Sequence, residues 1–105
     1  MDRFYTGDVV FTTCQLTGKD NRPHLVTNVT ADGRIGLCPL THTPQGRYEI
    51  TEMGGGTYLA AWDKFKQRTN LRFAAEGEAL RLRPKQLSEE CIFAALAEIK
   101  RQHGR

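Results

Sequence analysis

Lys64, Lys66 and Arg68 recur at every second position, and Leu80-Arg81-Leu82-Arg83 alternates in the same way. In an extended chain each set shares one face, and a row of positive charge of this kind grips nucleic-acid phosphates. A solvated strand face explains either set taken alone. Gly54-Gly55-Gly56 can in principle wrap a phosphate. A phosphate loop, however, carries Lys-Ser/Thr at the mouth of a following helix, and no lysine follows this triplet before Lys64. The glycines therefore read as a pliant hairpin tip. Cys14, Cys38 and Cys91 form no Cys-x-x-Cys pair, which argues against both a metal site and a redox motif. Their odd number fits free thiols in a reducing compartment. Tyr58 and Trp62 can stack unpaired bases, at about 1–3 kcal/mol per base, or fill a core.

These residues need elements to hold them, and the chain offers short ones. The 105 residues leave room for one domain spanning 1–105 with one core. Hydrophobic residues make up 39% and charged residues 26%, as in ordinary globular proteins. No apolar run reaches the roughly 18 residues of a membrane span, and the Met-Asp-Arg-Phe-Tyr start is no secretion signal. A cytoplasmic protein with no membrane partner is expected. The net charge of +3 favours anionic partners mildly, far less than in a DNA-coating protein.

Gly7 to Thr13 is rich in β-branched residues and reads as a strand; a polar loop follows from Gln15 to Arg22. Pro23 to Thr30 is a second strand, Asp32-Gly33 a hairpin signal, and Ile35 to Thr41 a third strand. Pro39 cannot donate to a ladder, so that strand should end, bulge or lie at an edge there. Arg47 to Thr51 alternates as a half-buried strand should, and one or two further strands are expected between Trp62 and Phe73. Ser88 is a good N-cap before Glu89 and Glu90, and Leu87 can staple against Ile92. Ile92, Ala95, Leu96 and Ile99 then form an apolar stripe with Phe93 beside it, and Gly104 can end the helix. Short strands and one terminal amphipathic helix predict a mainly β fold, a small curled sheet or barrel capped by that helix.

The order of these motifs resembles the MazF/PemK-like toxins of bacterial toxin–antitoxin systems. Gly7-Asp8-Val9-Val10 matches their opening Gly-Asp-hydrophobic strand, and Arg22-Pro23-His24-Leu25-Val26 their Arg-Pro before an apolar strand. Pro39-Leu40-Thr41 matches a Pro-x-Thr/Ser strand end, Asp63-Lys64-Phe65 a later acidic motif, and Ser88 to Ile99 the closing helix. The similarity runs over nearly the whole chain. It implies an SH3-like barrel with a C-terminal helix, assembled as a homodimer. The implied activity is metal-independent, sequence-specific endoribonuclease cleavage of single-stranded RNA without a cofactor, restrained by a partner antitoxin. Arg22 corresponds to the family's catalytic arginine and Thr41 to its catalytic threonine, while Asp63 falls at an acidic position near the groove. The loop before Arg22 is shorter than in well-known members and lacks their acidic residue, for which Asp20 is the nearest substitute. His24 and His42 flank the pair and can titrate near neutral pH. Lys64, Lys66 and Arg68 are the expected RNA-contacting cations.

Metal-free RNA cleavage takes its nucleophile, the 2′-hydroxyl, from the substrate. The protein must align sugar and phosphate, move two protons and stabilise charge on phosphorus. A guanidinium is permanently charged and offers several donors to phosphate oxygens, and the residue before a proline is conformationally restricted. A hydroxyl at Thr41 can donate to a phosphoryl or leaving oxygen. Two other functions fit the same small barrel: a non-catalytic nucleic-acid- or protein-binding module, which the basic stripes serve equally well, and a gyrase poison. The second needs an aromatic-rich helix end, which Lys100-Arg101-Gln102-His103 does not supply.

Overall fold

A computed structural model describes residues 3–13 and 21–103. Its elements in chain order are β1 (Val9–Thr12), β2 (Arg22–Val29), β3 (Ile35–Thr41), a single 3-10 turn (Thr51–Met53), β4 (Tyr58–Leu59), β5 (Trp62–Asp63), β6 (Arg68–Thr69), β7 (Arg72–Phe73), β8 (Arg81–Leu82) and α1 (Glu89–His103). The fold is mainly β with one C-terminal helix. All ladders are antiparallel: β4, β3, β2, β1 and β8 lie side by side, β7 also pairs with β3, and β5 and β6 form a separate hairpin. Among the described residues no ladder joins β7 to β8, so the sheet does not close on itself. α1 is neither long nor apolar enough to cross a membrane.

The centre of the sheet is buried on both faces. Successive strand residues point to opposite sides, and in β2 both Leu25 and Val26 are completely buried. Leu25 joins Val9, Cys38, Leu40 and Leu59 beneath α1, whose Ala95 and Ile99 cover them. Val26 joins Val10 and Leu37 on the other face, against Phe4, Ile35, Ala74 and Leu80. Each fully buried leucine contributes about 2–3 kcal/mol. The helix begins as its sequence indicates: the Cys91 amide donates to Ser88 Oγ at 3.2 Å, and Leu87 is buried in the cluster that Ile92 packs against. Glu52 adds a second tie, accepting from the Ser88 amide at 2.7 Å. Phe93 is 71% exposed and stays out of the buried stripe. Gly104 lies outside the described residues.

Three expectations change. Pro39 neither ends β3 nor lies at its edge, since the strand runs on to Thr41 between β2 and β4. Its missing N–H is made good on the β4 side. The Ala60 amide donates to the Pro39 carbonyl at 2.9 Å, and the Ala60 carbonyl, which proline cannot serve, accepts Asn70 Nδ2 at 2.9 Å. The strand expected over Arg47 to Thr51 shrinks to one bridge, Glu49 with Tyr58. At Thr51 the chain winds into the 3-10 turn, which brings Glu52 to Ser88. Lys64 and Lys66 do not share an extended face with Arg68. Residues 64–67 are a turn, in which Asp63 Oδ1 accepts the Phe65 and Lys66 amides at 3.0 Å each and Gln67 takes a φ of 52°. The carboxylate two and three residues back offers the backbone a better partner than a ladder does.

Candidate active site

Asn21 adopts a φ of 61°, a left-handed conformation that asparagine tolerates, and turns the chain into β2. Arg22 opens that strand, where the following Pro23 holds it extended. Thr12 of β1 pairs with Arg22, and Tyr58 of β4 pairs with Thr41, the last residue of β3. Between β2 and β3 the register sets His24 against Pro39. Continued outward by two residues, it brings Arg22 opposite Thr41. Thr12, Arg22, Thr41 and Tyr58 thus form one row across four strands, at one end of the sheet and on the face that carries His24 and Val26. A hydroxyl, a guanidinium, a second hydroxyl and a phenol face the same way.

Thr41 and the two histidines beside the row are held by specific bonds. Thr41 Oγ1 accepts the Thr43 amide at 3.2 Å, which leaves its proton to be donated elsewhere. His42 Nδ1 lies 2.9 Å from the Gly56 carbonyl. A carbonyl only accepts, so Nδ1 carries the hydrogen and Nε2 holds a lone pair in the neutral ring. The glycine tip that supplies this carbonyl needs glycines, because Gly54, Gly55 and Gly56 have φ values of 91°, 86° and 71°. His24 makes the same kind of bond inward, with Nδ1 2.9 Å from the carbonyl of Arg22. It is completely buried, and its Nε2 has no hydrogen-bond partner among the described residues. Burial holds the ring below its usual 6.5, and the nearby Arg72 cation pushes it the same way. His24 therefore anchors the backbone of Arg22 from inside the sheet.

A second network stands beneath the row. Arg72 donates to Glu78 from both terminal nitrogens at 2.8 Å, and Thr12 Oγ1 donates to Glu78 at 2.6 Å. Arg72 also reaches the Thr13 carbonyl at 3.2 Å. These bonds, with Arg72 first, hold the Glu78 carboxyl down to about 2 against an ordinary 4.5. The pair clamps the end of β1 beside Arg22. Sequence reasoning missed Thr12, Arg72 and Glu78, and weighed Tyr58 only as a stacking or core residue. Thr12 and Tyr58 are aligned by the β1–β2 and β3–β4 registers, which no local signal in the sequence sets, and nothing in the sequence marks Arg72 and Glu78 as partners.

The remaining expected site residues lie elsewhere. Asp63, Lys64, Lys66 and Arg68 belong to the β5–β6 hairpin, and amide bonds from Lys66 and Phe65 hold the Asp63 carboxyl below the usual carboxylate range. Asp20 lies outside the described residues. Burial drives the Cys38 thiol up to about 12, which leaves it inert. Among the described residues no group of three or more His, Cys, Asp and Glu side chains is arranged to hold a metal. Compared with known proteins, the chain matches no family model, no curated protein and no solved structure.

Proposed function

We propose that this chain is the toxin of a toxin–antitoxin pair, a metal-independent endoribonuclease that cuts single-stranded RNA. The observation that carries the reading is the shared row of Arg22 and Thr41, reached from a β2–β3 register that owes nothing to the motif resemblance. The 2′-hydroxyl attacks phosphorus and gives its proton to His42 Nε2, which the Gly56 bond keeps in the accepting form. Arg22 binds the phosphoryl oxygens as charge builds on them. Thr41 donates a hydrogen bond to the departing 5′ oxygen, which takes its proton from water, and the hydroxide so formed takes back the proton held by His42. The products are a 2′,3′-cyclic phosphate and a 5′-hydroxyl, with no change in oxidation state and no metal.

The fold reading extends in the same direction. β3 takes β2 on one side, and on the other β7 near its start and β4 near its end. Short antiparallel strands around β3 with α1 over one face support an SH3-like barrel; the homodimer and the antitoxin that blocks its groove belong to the same proposal. The test is incubation of the protein with long single-stranded RNAs of varied sequence in EDTA. Discrete cuts ending in cyclic phosphate are expected, with at least a hundredfold loss in Arg22→Ala and an unchanged circular dichroism spectrum. RNA that stays intact with the wild-type protein overturns the proposal.

A further inference from the structure

The β5–β6 hairpin meets the C-terminal end of α1 and the loop before Tyr48 around a groove of about 480 Å³. Arg47, Trp62, Lys64, Gln67, Arg101 and His103 line it, and among the described residues no carboxylate side chain does. The Trp62 and His103 rings stand at 81° with centroids 5.5 Å apart, forming the corner of an open box. Thr69 Oγ1, 3.4 Å from His103 Nε2, holds one wall in place. Arg47 is fixed by a bond from Nη1 to the Thr43 carbonyl at 2.9 Å. Arg101 is bound to Glu98 and partly neutralised, with Nε at 2.7 Å from the carboxylate. Lys64 is exposed on the hairpin turn.

We infer that this groove binds one nucleotide unit of a single RNA strand, its base in the Trp62–His103 corner and its phosphates against Arg47 and Lys64. A planar aromatic corner rimmed by cations suits a base joined to an anion, and a basic rim without an aromatic wall would suit the anion alone. The inference rests on the nuclease reading for its position: the groove lies on the α1 side of the sheet, and the short chain from Thr41 to Arg47 links it to the row on the other face. Trp62 is four residues beyond Tyr58, the strand partner of Thr41, so its Cα lies within about 14 Å of that of Tyr58. The loop from Thr41 to Arg47 runs from the row to the groove, and a bound strand would follow it. The groove is thus a second subsite, which reads a base of the strand beyond the cut.

Trp62 is the only tryptophan of the chain, so its fluorescence reports on this groove alone. The experiment titrates the intact protein with a 2′-O-methyl RNA oligonucleotide, which binds but cannot be cut. Quenching of Trp62 emission is expected, with weaker binding in Arg47→Ala and Lys64→Ala. Each variant should also flatten the dependence of log K on log salt by about 0.7, the loss of one phosphate contact on a single strand. Trp62→Leu, followed by anisotropy of a labelled oligonucleotide, should weaken binding by roughly 5- to 150-fold if stacking is lost. Unchanged emission on binding overturns the inference, as does full affinity in both cation variants. Equal quenching by inorganic polyphosphate, or by an acidic peptide in place of the oligonucleotide, also overturns it. The readout needs no cleavage. Quenching without cutting therefore defeats only the nuclease proposal, and cutting without quenching defeats only the subsite.

Discussion

Glu78→Gln keeps the shape of the side chain and removes its charge, leaving Arg72 without its bidentate partner. Both groups are largely shielded, with side-chain exposures of 19% for Arg72 and 12% for Glu78. Breaking one half of such a pair costs about 3 kcal/mol or somewhat more. The carboxyl's displacement from 4.5 to about 2 gives a second route to the figure: at about 1.4 kcal/mol per pH unit it corresponds to roughly 3 kcal/mol. Because the folded carboxyl is the stronger acid, its contribution is complete above about pH 4.5. It drains away as the pH falls toward 2. Urea unfolding followed by circular dichroism at pH 7, 4.5 and 3 separates the alternatives. At pH 7 the variant should be less stable by about 3 kcal/mol, a fall of roughly 10–20 °C in Tm for a domain of this size. Its stability should then lose much less than that of the wild type on acidification, so that the two curves converge near pH 2. A variant within 0.5 kcal/mol (an order-of-magnitude threshold for a surface change) of the wild type at pH 7, or curves that stay parallel, would refute the assignment of this pair as the clamp on β1.

Three further outcomes follow from individual contacts. His24 is buried neutral with its pKa lowered, so the unfolded chain takes up a proton that the folded one refuses, and stability falls as the pH drops through about 6.5. His24→Asn, which retains a donor for the Arg22 carbonyl, should lose that slope between about pH 6.5 and 5 in urea titrations; an unchanged slope would place the titration elsewhere. Gly7 has a φ of 96°, and an added Cβ would stand 2.5 Å from Ile92 Cδ1. Gly7→Ala should therefore cost about 2 kcal/mol or more in thermal unfolding, and adding Ile92→Ala should recover none of the backbone part. Cys38, with its thiol near 12, should resist alkylation at pH 8 in the folded protein and react in urea, as mass spectrometry of the labelled peptide will show.

The elements that were legible in the sequence are those whose signals are local. Asp32-Gly33 marked the β2–β3 hairpin, and Ser88 with its two glutamates and the Ile92–Ile99 stripe marked α1. Arg47 to Thr51 alternated correctly, but alternation does not reveal that Glu52 has a better partner in Ser88, 36 residues away. Lys64, Lys66 and Arg68 misled for a related reason: period two describes a strand only if nothing folds the backbone first, and the Asp63 carboxylate does so through two amides. Proline at 39 signals an end, a bulge or an edge, and its substitute donor, Asn70, is too distant in the chain for the sequence to announce it. For the candidate site, the motif resemblance singled out Arg22 and Thr41, and the β2–β3 register then set them opposite each other. The supports of the site, Arg72 in β7 and Glu78 in the loop after it, are only six residues apart, but their contact with Thr12 of β1 spans 66 residues, which no spacing rule encodes.

Arg22 and Thr41 acting on one phosphate must be energetically coupled, and a double-mutant cycle measures that coupling. Cleavage rates of one RNA in EDTA would be compared for the wild type, Arg22→Ala, Thr41→Val and the double variant. Removing either donor should slow cleavage by about a hundredfold, and the double variant should be only slightly slower than the worse single one, because groups that act as a unit are not additive. Losses that multiply to about ten thousandfold would mean that the two residues work at separate places. A Thr41→Val protein as fast as the wild type would contradict the account outright.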